Sequence, residues 1–223
     1  MRTPLPASFF DRSPARVARE LIGCSIQHRL TTPNGSVWVG GVIVETEAYL
    51  STNDPASHSH GGATTVSGKP RRNQSMFGPP GSLYVYTIHA KHCVNFVTEP
   101  EGIGSAVLIR ALQPAFGVET MQALRGTENR QRLTSGPGML CQALGVQMES
   151  DGINPLSDSD WNVASLFQFS DDAITTTSRI GISSATDLPL RYFLDGNRFV
   201  SGRARDHHRP RRDSLSIGSS QTF

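Results

Sequence analysis

The sequence predicts a single domain of mixed α/β (α+β) class, and three observations carry that expectation. Residues 36–49 and 83–89 alternate between two sets of side chains at the period of a β-strand. Short helical patterns stand at 14–22, at about 115–125 and just after Ser135-Gly136-Pro137-Gly138. No internal repeat and no composition break marks a second domain in the 223 residues.

Taken in order, Ser13-Pro14 reads as an N-cap followed by proline at the first helical position. The helix carries Val17, Ala18, Leu21 and Ile22 on one side and stops near Gly23. Two strands are expected at 24–30 and 36–49, joined by the turn signal Thr32-Pro33-Asn34-Gly35. Residues 51–82 have no sustained period and read as a long loop, and long loops in compact domains tend to be functional or disordered. Strand-like runs follow at 83–89, 92–98 and 105–111. Val118, Met121 and Leu124 mark a helix over 115–125, and a shorter helix ends near Gly145. Residues 150–178 are polar and weakly patterned, and a last β-like unit includes 179–182 and 190–200. The domain is read as 1–201. Residues 202–223, with five arginines and two histidines, read as a disordered basic tail.

Composition narrows the class. Charged residues are 18% and hydrophobic residues 37%, and no apolar run is long enough to cross a bilayer. The first residues lack the apolar segment of a signal peptide. Cys24, Cys93 and Cys141 are scattered without metal-ligand spacing, which points to reduced thiols in the cytoplasm. Net charge is only +2, but Lys69 and Lys91 are the only lysines among 21 basic residues. Arginine suits bidentate phosphate contacts, although GC-rich coding also favours it.

The chemistry concentrates in residues that interrupt the β-rich first half. In Val44-Glu45-Thr46-Glu47-Ala48-Tyr49, strand alternation places two carboxylates and an aromatic ring on one face. A buried carboxylate is costly unless paired, and such groups cluster at functional sites. The plainer alternative is a strand that surfaces at its end, with both carboxylates solvated. Asn95 and Arg110 lie inside apolar runs, and an arginine there needs a carboxylate that Glu47 or Glu45 would supply. Tyr49, Tyr84, Tyr86, His58 and His89 add rings. Together these make an inventory for a flat heterocycle, with stacking for its faces and hydrogen bonds for its edge. The turn at Gly136 and Gly138 opens a helix whose first N–H groups suit an anion.

The same residues resemble the alkyladenine (3-methyladenine) DNA glycosylases. The blocks occur in order: 44–49, Ala56-Ser57-His58-Ser59, Arg72-Asn73 with Met76-Phe77, Pro80–Tyr86, Val107–Leu112 and Ser135–Leu144. Arg179–Ile182 and Pro189–Phe193 extend the likeness, which runs from about residue 15 to 200. The resemblance implies a curved antiparallel sheet flanked by helices, no metal and no cofactor. It implies an enzyme that flips damaged purines from duplex DNA and hydrolyses the N-glycosidic bond; acting on one flipped base requires only a monomer, and the expected location is the cytoplasm, on the nucleoid in a bacterium. Glu47 would be the general base and Arg110 would help hold the water. Tyr49 and His58 would lie on one face of the base, Tyr86 on the other, and Asn95 near the purine C2 edge. His89 matches a wedge position that is commonly tyrosine, with Lys91 beside it for phosphate. The run before Asn95 is one residue shorter than in some members, and Met139 stands where many have lysine. Two rival readings are a nucleoside or nucleotide hydrolase using the same pocket, and a nucleic-acid-binding module with a remnant pocket.

Overall fold

The computed structural model describes residues 3–62, 65–66, 69–70 and 73–202. The chain opens with β1 (Thr3–Pro4), α1 (Ala7–Phe10) and α2 (Pro14–Glu20). Strands β2 (Cys24–Thr32) and β3 (Gly35–Tyr49) form a hairpin. A small ladder of β4 (Thr65–Val66) and β5 (Lys69–Pro70) follows. An antiparallel meander comprises β6 (Leu83–Ile88), β7 (Lys91–Thr98) and β8 (Ser105–Phe116). Helices α3 (Val118–Arg125) and α4 (Pro137–Ala143) precede β9 (Trp161–Ser165), β10 (Ile174–Thr177) and β11 (Arg191–Leu194).

The large sheet runs β1-β9-β2-β3-β8-β7-β6, all antiparallel, with β11 on β3 and β10 on β11. Strand β3 is the branch point. Its first half pairs with β2, its last residues pair with β11, and β8 follows its other edge from Gly40 to Tyr49. At Gly40 and Gly41 both neighbours crowd in: a Cβ would stand 2.2 Å from the Ile26 carbonyl on one side and 2.1 Å from that of Gln113 on the other. Only glycine fits such a double approach. The register then slips between Ile43 and Glu45 and again between Glu45 and Thr46. Bulges of this kind bend a strand and re-aim its side chains, and here they fall at Glu45 and opposite Arg110.

The two faces of this sheet have different contents. Leu83, Val85, Val94, Phe96, Val107, Ile109 and Ala111 join the main core, and helices α2, α3 and α4 close that side. The Thr46 hydroxyl donates to the Ala18 carbonyl of α2 at 2.8 Å, so Thr46 faces the helix layer. Glu45, Glu47 and Tyr49 therefore project from the opposite face. There Met76, Tyr84, Val97 and Ala106 form a second, smaller cluster with Tyr49, Phe77 and Tyr86 packed against it.

Several boundaries differ from the sequence reading. Strand β8 continues to Phe116 and the following helix starts only at Val118. Continued pairing with β3 overrides the helical spacing at 112–117. The weakly patterned 150–178 region contributes β9 and β10, because Trp161 and Val163 bury against the core while Asn162 faces out. Residues 179–182 are not a strand, and of 190–200 only β11 is. The solvated alternative for the carboxylate strand is overturned: Glu45 and Glu47 are both 0% exposed. The tail beyond residue 202 and Arg72 of the resemblance blocks lie outside the described residues. Among the described residues no helix is long and apolar enough to cross a membrane.

Candidate active site

The bulged part of β3 and β8 carries the charges. The Arg110 guanidinium donates from Nε to Glu45 Oε1 at 3.1 Å and from Nη1 to Glu47 Oε2 at 3.2 Å. Both candidate partners for this arginine are therefore used. Glu45 also accepts from Arg191 Nε at 2.7 Å and from the Ser201 N–H at 2.7 Å. Burial by itself would raise the Glu45 carboxyl, but Arg110 and Arg191 outweigh it and hold the group below the ordinary carboxylate range. For Arg110, burial opposes the charge, and the nearby Glu47 and Glu45 more than compensate.

Among the described residues Glu47 has three donors. Oε2 accepts from Arg110 and from the Tyr49 hydroxyl at 3.0 Å, and Oε1 accepts from the Ile180 N–H at 2.9 Å. A carboxylate offers about four acceptor positions, so there is room for one more donor such as a water. Burial, then the charge of Glu47, raises the Tyr49 hydroxyl well above its usual pKa and keeps it a neutral donor.

In front of Tyr49 lies a cavity of ≈ 140 Å³, walled by Tyr49, His58, Tyr84, Tyr86 and Asn95, with Ile88 at 47% exposure and Ile182 also lining it. His58 Nδ1 meets the Tyr84 hydroxyl at 2.7 Å. Its ring stands edge-on to Tyr86, with centroids 4.6 Å apart. Asn95 is buried, and its Nδ2 donates to the Tyr84 carbonyl at 2.9 Å across the β6–β7 pair. Burial, with Cys93 directly across the ladder, raises the Tyr86 hydroxyl well above its usual pKa.

The structure thus brings Tyr49, His58, Tyr86 and Asn95 to one cavity. Glu47 sits one hydrogen bond behind Tyr49 and Arg110 a second bond behind Glu47, and neither lines the wall. His89 and Ala90 form the exposed two-residue turn between β6 and β7, both at positive φ (48° and 57°). Turns of this type favour Asn-Gly, and non-glycine residues adopt it at a cost. Lys91 follows, and its stem packs where a Cβ on Gly138 would stand, 2.8 Å from Lys91 Cδ. The hairpin and the start of α4 are therefore neighbours. The Gly136 N–H donates to the Arg110 carbonyl at 3.0 Å, which removes it from any anion contact. Among the described residues no three His, Cys, Asp or Glu side chains converge to hold a metal ion.

Sequence reasoning assigned no role to three participants, Arg191, Arg179 and Asp54. Arg191 sits inside the apolar run Leu190–Leu194, the same signal that singled out Arg110, and would have been found by it. Arg179 and Asp54 form a buried pair behind Tyr49 and carry no local signal.

Comparison with known proteins decides the family. The family model described as methylpurine-DNA glycosylase matches residues 8–198. The chain belongs to the methylpurine-DNA glycosylase family. A protein of Rhodopirellula baltica, provisionally named a 3-methyladenine DNA glycosylase, is 55% identical over 95% of this chain and 88% of its own length. One of Methanoculleus marisnigri with the same provisional name is 47% identical over 89% of this chain and 99% of its own. A third, of Rhodopseudomonas palustris, is 48% identical over 89% and 90%. The enzyme class of the family, a DNA glycosylase acting in the repair of alkylation damage, follows for this chain.

Proposed function

We propose that this protein flips 3-methyladenine and related alkylated purines out of duplex DNA and hydrolyses their N-glycosidic bond. The observation that carries the reading is Glu47, a fully buried carboxylate held by three donors directly behind an aromatic cavity. In the mechanism, the extrusion of a purine costs unstacking, which a damaged base lowers. The rings of Tyr49, His58 and Tyr86 stack against the extruded base, and Asn95 faces its C2 edge. Glu47 uses its remaining acceptor position to orient a water and take its proton, and Arg110 fixes the carboxylate for that task. As the bond to the base breaks, the sugar gains oxocarbenium character, and the same carboxylate stabilises the positive charge in a low-dielectric setting. The product is an abasic site in an intact strand, and a monomer suffices. The proposed range extends to hypoxanthine and ethenoadenine, which share the flat purine ring system that aromatic walls would stack on.

The test is base release from duplexes that each carry one defined lesion. Wild type should release 3-methyladenine, and Glu47→Gln should slow single-turnover release by ~10²–10⁴-fold with lesion binding retained. Release from free nucleosides with indifference to duplex DNA would favour the nucleoside hydrolase reading. Activity unchanged in Glu47→Gln would remove Glu47 from the role.

A further inference from the structure

Arg179 and Asp54 are 125 residues apart and both buried. Their contact is a two-pronged fork: Nη1 donates to Oδ2 and Nη2 to Oδ1, each at 2.7 Å. Nη1 also donates to the Ala48 carbonyl at 3.0 Å, and the guanidinium lies over the Tyr49 ring, 4.6 Å from its centroid. The residue after Arg179 supplies the N–H that Glu47 Oε1 accepts, and Gly181 and Ile182 continue as cavity wall. On the other side, Asp54 accepts from the Leu50 and Ala56 N–H groups at 3.0 and 3.2 Å, shaping the turn that leads to His58. One ion pair therefore joins the strand bearing Glu47 and Tyr49, the loop bearing His58 and the segment bearing Ile180. The Arg179 Nε is buried with no hydrogen-bond partner among the described residues.

We propose that Arg179, clamped by Asp54, is a positioning residue for the hydrolysis. It backs the Tyr49 ring on the side away from the base, and it fixes the Ile180 N–H on Glu47, so that carboxylate and stacking ring keep one relative geometry. It touches neither base nor water. The inference rests on the reaction proposed above. Small displacements of a reacting group from its productive geometry cost rate far more than binding, so the clamp should act on the chemical step.

The test uses the full chain and a duplex with a single 3-methyladenine. Arg179→Met alone leaves Asp54 buried without its partner and is expected to fold poorly. The double variant Arg179→Met with Asp54→Asn removes both charges, and Arg179→Lys keeps the charge but not the planar fork over the ring. Melting temperature, duplex affinity and single-turnover release are measured for each, with release assayed well below the lowest melting point. The expected result is that Arg179→Lys recovers most of the melting temperature while release stays ~10- to 100-fold slow, with affinity within a few-fold of wild type. The double variant should show the same split. Release at the wild-type rate in both folded variants would overturn the inference while leaving the proposed function intact. A loss confined to affinity would overturn it too. A wild-type protein that released no base would overturn the functional reading, and this inference with it.

Discussion

Glutamine in place of Glu45 changes few atoms and removes one charge, which makes it a sharp probe of the buried network. The carboxylate lies between two guanidiniums, at 3.1 Å from Arg110 Nε and 2.7 Å from Arg191 Nε, and also takes the Ser201 N–H at 2.7 Å. Glutamine has a single acceptor oxygen. If that oxygen faces the arginines, its amide group meets the Ser201 N–H donor to donor; if it faces Ser201, the amide meets the arginines. Breaking a buried ion pair from one side costs about 3–5 kcal/mol at neutral pH. For a chain of this size that corresponds to a melting point lower by about 6–20 °C. The pH dependence has a definite sign. The Glu45 carboxyl is held below its usual range in the folded protein, so its contribution is fully present above the unfolded value of about 4.3 and is lost as pH falls through the folded value. Asp54 is shifted the same way by Arg179 once burial is overcome, but it is present in both proteins and cancels in the difference. Urea denaturation of wild type and Glu45→Gln at several pH values should show a gap that is widest near pH 7 and narrows in the acid range. A gap below about 1 kcal/mol at pH 7, typical of an exposed pair, would refute the reasoning, as would one that stays constant between pH 5 and 3.

Other outcomes test the site more directly. Asn95→Ser should make room at the C2 edge and raise release of normal guanine above the wild-type level, read from undamaged duplex; no increase removes Asn95 as the gate. A strand-cleaving glycosylase uses an amine to form a Schiff base, and among the described residues no lysine lines the cavity. Borohydride should therefore trap no covalent adduct, and strands should break only after alkali. His89→Ala should slow release from duplex DNA much more than from single strands, where no stack is broken. Equal losses on both substrates would place the wedge elsewhere on the 87–92 hairpin.

Much of this site was legible because it sits on regular strands. Alternation was enough to put Glu45, Glu47 and Tyr49 on one face of their strand and Tyr84 with Tyr86 on one face of theirs. Arg110 stood out because an arginine in an apolar run demands a carboxylate. The bulges were not legible. They arise from the pairing of β3 with β8, and no single strand records the register of its partner. Nor was the branch at β3, which depends on where β11 docks. Strand β9 escaped because it is short and half polar, and its identity comes from the neighbours β1 and β2 rather than from its own pattern. The role of Asp54 was hidden for a similar reason: a loop aspartate looks the same whether it faces solvent or a guanidinium 125 positions later.

The wide spacing of these partners along the chain also sets the order in which the site comes into being. Glu45 and Glu47 are made early, yet the groups that neutralise or hold them, Arg110, Ile180, Arg191 and Ser201, arrive as much as 156 residues later. Contacts closed over such long spans form late and slowly in folding. During synthesis, a chain that has completed the β2–β3 hairpin carries two carboxylates whose arginine and backbone N–H partners in the folded protein have not yet been made. The buried network around Glu45 is thereby completed only by the last part of the domain to be made, Arg191 on β11 and Ser201.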